Sequence, residues 1–144
     1  MRTPKQLLFV LTTILAFNIP VAAKCPTASV TVHGRVENLP FTVTAEASVL
    51  LATPKGTVSR TAPVSNGEFT VEVPFSTYSS TVLGGDHCNT VPKSVEVKIV
   101  AAGKVYVRKK LDFKDNFEST SSYQYRLKQN LSLDVAKEGS YGTK

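Results

Sequence analysis

The chain has 144 residues and a formal net charge of +6, from 17 basic and 11 acidic side chains. The excess is mild and its Lys and Arg are scattered; the one dense run is Arg108-Lys109-Lys110. Alternate side chains of a strand face opposite ways, so that run cannot present all three charges together. This puts nucleic-acid binding well behind the reading of a charged, soluble sheet edge.

In chain order, Arg2 and Lys5 lead into the apolar run 7-LLFVLTTILAF-17, and Pro20 is followed by Val21-Ala22-Ala23, small residues at the positions a signal peptidase reads. The order is that of a secretory signal over residues 1–23. A retained membrane anchor is the alternative, but the run falls short of the ~20 apolar residues a span needs. Lys24 stands where a lipoprotein would place a small residue before Cys25. Cleavage after Ala23 leaves 121 residues with 15 basic and 11 acidic side chains, hence +4. That length suits one domain with one core. The expected location is extracytoplasmic, secreted or periplasmic, with no integral span after cleavage.

The two cysteines, Cys25 and Cys88, both lie beyond that cleavage point. An even count in an exported chain reads as a disulfide. Closing a loop of about 64 residues stabilises by ~4 kcal/mol in the chain-entropy model. An intermolecular bridge is the alternative if the two do not meet in space; two distant thiols do not make a zinc site.

The rest of the chain mostly alternates apolar and polar residues. In 28-ASVTVHGRV-36, Val30, Val32 and Gly34 share one face, with His33 and Arg35 on the other. A second strand, 41-FTVTAEASVLLA-52, ends at the turn signature Pro54-Lys55-Gly56, and a third follows over 57–64. Asn66-Gly67 suits a tight turn, because glycine accepts positive φ and asparagine tolerates it. Phe69, Val71 and Val73 then alternate with Thr70 and Glu72, and Pro74 is expected to stop that strand. Residues 74–93, rich in Ser, Thr, Gly and Pro, read as a long loop that Cys88 tethers to Cys25. Next, 94-SVEVKIVAAGKVYVRKKLDF-113 predicts a hairpin turning at Ala102-Gly103. A polar connection over 114–122 leads to a last strand region, 123–135, and a tail, 136–144, without apolar period. No amphipathic helix is expected. The pattern predicts an all-β fold, a single antiparallel β-sandwich of about seven strands over 24–135.

Three stretches, His33-Gly34-Arg35-Val36, Ala47-Ser48-Val49-Leu50-Leu51 and Asn66-Gly67-Glu68-Phe69, together resemble the carboxypeptidase regulatory-like domains. Members of that family carry a G-x-V strand, an A-x-V-x-L strand and a D-G-x-F turn. The likeness covers residues 28 to 113, with Asn66 in place of the usual aspartate and a cysteine-bearing insertion absent from minimal members. It implies a prealbumin-like Greek-key sandwich serving as an accessory, adhesive or scaffold module without catalytic machinery.

Residues able to run chemistry are few. The only histidines are His33 and His87. Asp86-His87-Cys88 are sequence neighbours on an expected loop, and an oxidised Cys88 is no nucleophile. His33 invites comparison with hydroxyisourate hydrolases of the same architecture, but the chain has no second strand histidine and no Y-R-G-S ending. Lys24 at the mature N-terminus excludes the copper monooxygenases that use a histidine there. Lys98, Glu72 and Asn130 could be imagined as an isopeptide set, with nothing selecting them. Spacing alone does not rule out a glycosidase carboxylate pair, although the acids fall mostly on outward positions.

Binding is the leading expectation, with no cofactor and no metal implied and an unknown protein or glycan as partner. The candidate residues are Tyr78, Asp86 and His87 in the tethered loop, and Tyr123 and Tyr125, which share a face by spacing and could stack on a sugar or anchor a protein. A small exported hydrolase built on His33, Asp86 and His87 is the first alternative, a carbohydrate-binding module the second. Asn130-Leu131-Ser132 also fits the N-glycosylation sequon, relevant only in a eukaryotic host.

Overall fold

A computed structural model describes residues 25–40 and 42–137. The expected leader, 1–23, lies outside the described residues, as does the tail beyond Lys137.

Alternation delivers the expected β-sandwich. The first sheet contains β1 (Thr27–Glu37), β4 (Glu68–Ser76), β9 (Phe117–Ser121), β10 (Gln124–Leu127) and β11 (Leu131–Asp134). The second contains β2 (Glu46–Thr53), β3 (Gly56–Pro63), β7 (Ser94–Ala101) and β8 (Lys104–Asp112), in the order β3-β2-β7-β8. Two short strands, β5 (Ser79–Thr81) and β6 (Gly85–His87), pair only with each other, and a single helical turn, α1 (Phe113–Asn116), links β8 to β9. The chain passes between sheets after β1, β3, β4 and β8, which knits the two layers together.

The core is the set of inward positions that the period of two marks out. Val30 and Val32 of β1, Val71 and Val73 of β4, Val49 and Leu51 of β2, and Val95, Val97 and Ile99 of β7 are all buried. Each aliphatic side chain buried in this way contributes about 1.5–3 kcal/mol relative to an exposed one. Aromatic rings close one end: Phe113 stacks on Phe117 at 5.1 Å between centroids, and Tyr125 meets Phe113 edge-on at 5.2 Å.

All three expected turns are present, Pro54-Lys55 joining β2 to β3 at the Thr53↔Gly56 pair. Asn66 and Gly67 have φ of 52° and 75°, and Ser65 and Glu68 exchange two backbone hydrogen bonds across them, at 2.8 and 2.9 Å. Ala102 and Gly103 make the β7–β8 turn with φ of 48° and 74°.

The strand inventory differs from expectation in five places, the first being that the last strand region, 123–135, is two strands, β10 and β11, separated by residues 128–130. Pro74 does not stop β4, which continues to Ser76; β4 pairs only with β1, and an edge strand tolerates a residue without an N–H. The expected loop 74–93 contains the β5–β6 hairpin. The expected polar connection over 114–122 supplies α1 and β9, because β10 offers β9 a partner at Leu127↔Phe117 through Gln124↔Ser121. The second strand starts at Glu46 rather than 41, since a turn intervenes in which the Val43 N–H donates to the Pro40 carbonyl.

One seam is parallel. Both β10 and β11 run alongside β1 in its own direction, in registers that differ by two residues: Ser29↔Gln124 along β10, but Gly34↔Leu131 along β11. Residues 128–130 take up the difference as an irregular break.

Candidate binding hairpin

Beyond Ser76 the chain leaves the sheet through a neck. Thr77 is buried there; its hydroxyl donates to the Pro26 carbonyl at 2.8 Å, and its own carbonyl accepts the Thr90 N–H at 3.0 Å. One residue thus fastens the outgoing leg to the start of β1 and to the returning leg. The Cys25–Cys88 disulfide, with Cα atoms 5.2 Å apart, ties two of these pieces covalently, the segment before β1 and the returning leg.

The hairpin stands on this base. Ser79 pairs with His87, Ser80 with Asp86 and Thr81 with Gly85. The Tyr78 hydroxyl donates to Asp86 Oδ1 at 3.0 Å, and Lys55 Nζ from the β2–β3 turn sits 3.9 Å from the Tyr78 ring centroid. At the tip the Gly84 N–H donates to Thr81 Oγ1 at 2.9 Å, closing a turn that leaves Val82 and Leu83 wholly exposed, at 104% and 100%. Glycines flank the far side of that turn, so no neighbouring side chain covers the two aliphatics.

Among the described residues, the large exposed hydrophobics are Val82, Leu83 and Tyr123. All lie at one end of the sandwich. Tyr123 sits in the β9–β10 turn, where its carbonyl accepts the Ser29 N–H at 2.9 Å, near the start of β1. The Lys55–Tyr78 contact brings the β2–β3 turn of the other sheet to that same end. The described residues contain no cluster of three or more His, Cys, Asp or Glu able to hold a metal, and no helix long and apolar enough to cross a membrane.

No family model, no curated protein and no solved structure matches this chain. The site therefore stands on its geometry.

The sequence candidates separate into those the fold assembles and those it does not. Cys25 and Cys88 meet, and Tyr78, Asp86 and His87 share the hairpin. Tyr123 and Tyr125 do not form one aromatic face. Tyr123 takes φ of 64° in the turn, which breaks the strand period, while Tyr125 turns its ring inward against Phe75 and Phe113. His33 and His87 do not converge. The first lies in mid-strand with Nδ1 2.9 Å from Thr70 Oγ1, about 20 Å along β1 from Thr27, whereas the second is exposed on β6. The imagined isopeptide set is not assembled either, because Lys98 is on the second sheet, paired with Glu96 at 2.9 Å, and Glu72 is on the first.

Sequence reasoning missed the exposed tip, the buried Thr77 hydroxyl and the Lys55–Tyr78 contact. A signal for the first was present: Val82-Leu83-Gly84-Gly85 places two aliphatics against a glycine pair inside a polar stretch, the composition of a hairpin tip rather than of a core strand.

Proposed function

We propose that the protein is an exported, non-catalytic binding module whose recognition element is the β5–β6 hairpin. The observation that carries this reading is the full exposure of Val82 and Leu83 on a base fixed by Cys25–Cys88. Binding residues are commonly set on loops held by a rigid scaffold. Burying the two side chains against a partner is worth about 1.5–3 kcal/mol each. A tethered base lowers the ordering cost that a free loop would carry into the complex.

The chemistry of the tip selects among partners. Sugars are held by stacking on aromatic rings, and Val82 and Leu83 supply none. An aliphatic tip fits an apolar pocket on a protein, with Asp86, His87 and Lys55 as polar surroundings. Export is supported by the leader-like segment 1–23 and by a disulfide, a bond that persists in oxidising compartments. The resemblance to carboxypeptidase regulatory-like domains points toward an accessory role of the same kind.

The test is photo-crosslinking in the producing cell, with a photoreactive residue at Thr81 at the tip and a control at Thr61 on β3. A discrete adduct at Thr81 alone, lost on Val82→Ser with Leu83→Ser at unchanged melting temperature, is the expected result. No adduct at the tip, or equal labelling at both positions, discards the reading.

A further inference from the structure

A second surface, unconnected with the hairpin, carries chemistry of its own. Among the described residues Asn130-Leu131-Ser132 lies where the fold is interrupted: Asn130 ends the irregular break between β10 and β11, and Leu131 opens β11. Leu131 is buried, at 7% exposure, so the residues on either side of it point outward. Asn130 and Ser132 are both exposed. The carboxamide and the hydroxyl two residues on, the pair that an oligosaccharyl transferase reads, thus share the open side of one anchored segment.

The surroundings suit a bulky polar substituent. An open trough starts at Asn130 and Ser132 and runs over the outer face of the first sheet past His33, Arg35 and Thr70. These groups donate and accept hydrogen bonds, which is what hydroxyl-rich sugars require. The position also matters for the sheet. Residues 131–134 pair on one side with β1, while β9 pairs only with β10, so among the described residues the other edge of β11 has no partner strand. The two edges of the second sheet each carry a charge on the core-facing side: Arg60 of β3 opposite Val49, and Lys109 of β8 opposite Val97. Inward charges of that kind discourage edge-to-edge pairing, and β4 has Pro74. The β11 edge has neither device, and Asn130 stands at its start.

We propose that Asn130, when the chain is exported through a eukaryotic secretory pathway, is an N-glycosylation site, and that its glycan covers the unpaired edge of β11 and the trough beside His33. In the transfer, Asn130 Nδ2 forms a bond to the anomeric carbon of an oligosaccharide carried on a lipid pyrophosphate. The bond from that carbon to the pyrophosphate oxygen breaks, the lipid pyrophosphate leaves with the electron pair, and the amide proton passes to a base of the transferase. No redox partner is needed.

The proposal rests on export, the same premise as the proposed function, and the experiment separates the two. The full chain is synthesised with its own leader in a eukaryotic secretory cell, and the medium is examined by electrophoresis and intact mass. The expected product starts at Lys24, carries a mobility shift that peptide N-glycosidase removes, and leaves aspartate at position 130. Asn130→Gln and Ser132→Ala abolish the shift, whereas Ser132→Thr, which keeps the hydroxyl, retains it. Since both positions changed carry exposed side chains, the three variants are expected in the medium at similar yield. A chain that is exported and cleaved but unshifted overturns the glycan and leaves export standing. A chain that keeps Met1 and stays in the cell overturns both.

Discussion

The ring of Phe69 lies over Gly34, its register partner across β1 and β4, in the space that a side chain at position 34 would occupy. Glycine weakens a strand, and here an aromatic ring from the neighbouring strand takes over the missing packing and shields the backbone. The glycine is therefore a steric requirement of the core rather than of the backbone conformation. Gly34→Ala forces the ring aside, an overpacking that costs about 1–3 kcal/mol. Phe69→Ala removes the ring and costs about 3–5 kcal/mol. Because the two residues share one space, the alanine at 34 costs less in the Phe69→Ala background than alone, and urea midpoints of the four proteins in that cycle measure the difference. Strict additivity would show that the ring does not fill the glycine site.

A second strain point sits in the β7–β8 turn. Ala102 holds φ of 48°, a left-handed conformation that costs an L-residue roughly 1–2 kcal/mol. The equivalent position in the β3–β4 turn is Asn66, at φ of 52°. Asparagine bears that conformation better because its short polar side chain bonds locally. Ala102→Asn is expected to stabilise by about 0.5–1 kcal/mol, seen as a later urea midpoint at unchanged slope. An unchanged or earlier midpoint would remove the strain from the account.

These two turns were legible because two-residue hairpins demand particular residue types, and the inner faces of β1, β2, β4 and β7 were legible because Val, Leu and Ile recur at every second position. What escaped depended on neighbours that no local pattern names. Glu118-Ser119-Thr120-Ser121 has no strand-like apolar face and becomes β9 because β10 lies beside it. Pro74 reads as a stop, yet is harmless once β4 proves to be an edge. Spacing put Tyr123 and Tyr125 on one face, and a turn residue at positive φ separated them. The two cysteines mark the segment that groups Tyr78, Asp86 and His87, whereas the aliphatic tip reads as loop until the β5–β6 pairing is known.

The far end of the sandwich closes through a carboxylate. Asn38 Nδ2 donates to Asp134 Oδ1 at 2.7 Å, joining the residue after β1 to the end of β11. That hydrogen bond holds the Asp134 carboxyl below its usual 3.8; desolvation, the next largest influence, opposes it, and the Ala136 N–H and Lys137 add to the lowering. A depressed folded-state pKa stabilises at pH above the unfolded value, and the contribution disappears as pH falls through the lower, folded value. The window of loss thus opens near pH 3.8 and extends below it. Asp134→Asn is expected to flatten this part of the acid limb in urea midpoints measured from pH 7 downward. Salt reduces only the Lys137 share, because a solvent-exposed ion pair is screened. An acid limb identical in the two proteins would mean that Asp134 does not sense folding.

The hairpin and the fold should come apart under reduction. Cys25–Cys88 joins residues 63 apart in sequence, a closure worth ~4 kcal/mol in the chain-entropy model, so the reduced protein is expected to melt lower. The hydrogen bonds of Thr77 and the Tyr78–Asp86 pair survive reduction, while the covalent tie between the N-terminal leg and the returning leg does not. Amide exchange in Ser79–His87 is therefore expected to accelerate more than in β2 or β7, whose ladders lie in the core of the second sheet. Cys25→Ser with Cys88→Ser should reproduce both effects without reductant. Equal melting points with and without the bond would remove the disulfide as the hairpin's anchor. Uniformly faster exchange throughout would assign it to global stability alone, leaving Thr77 as the residue that holds the hairpin in place.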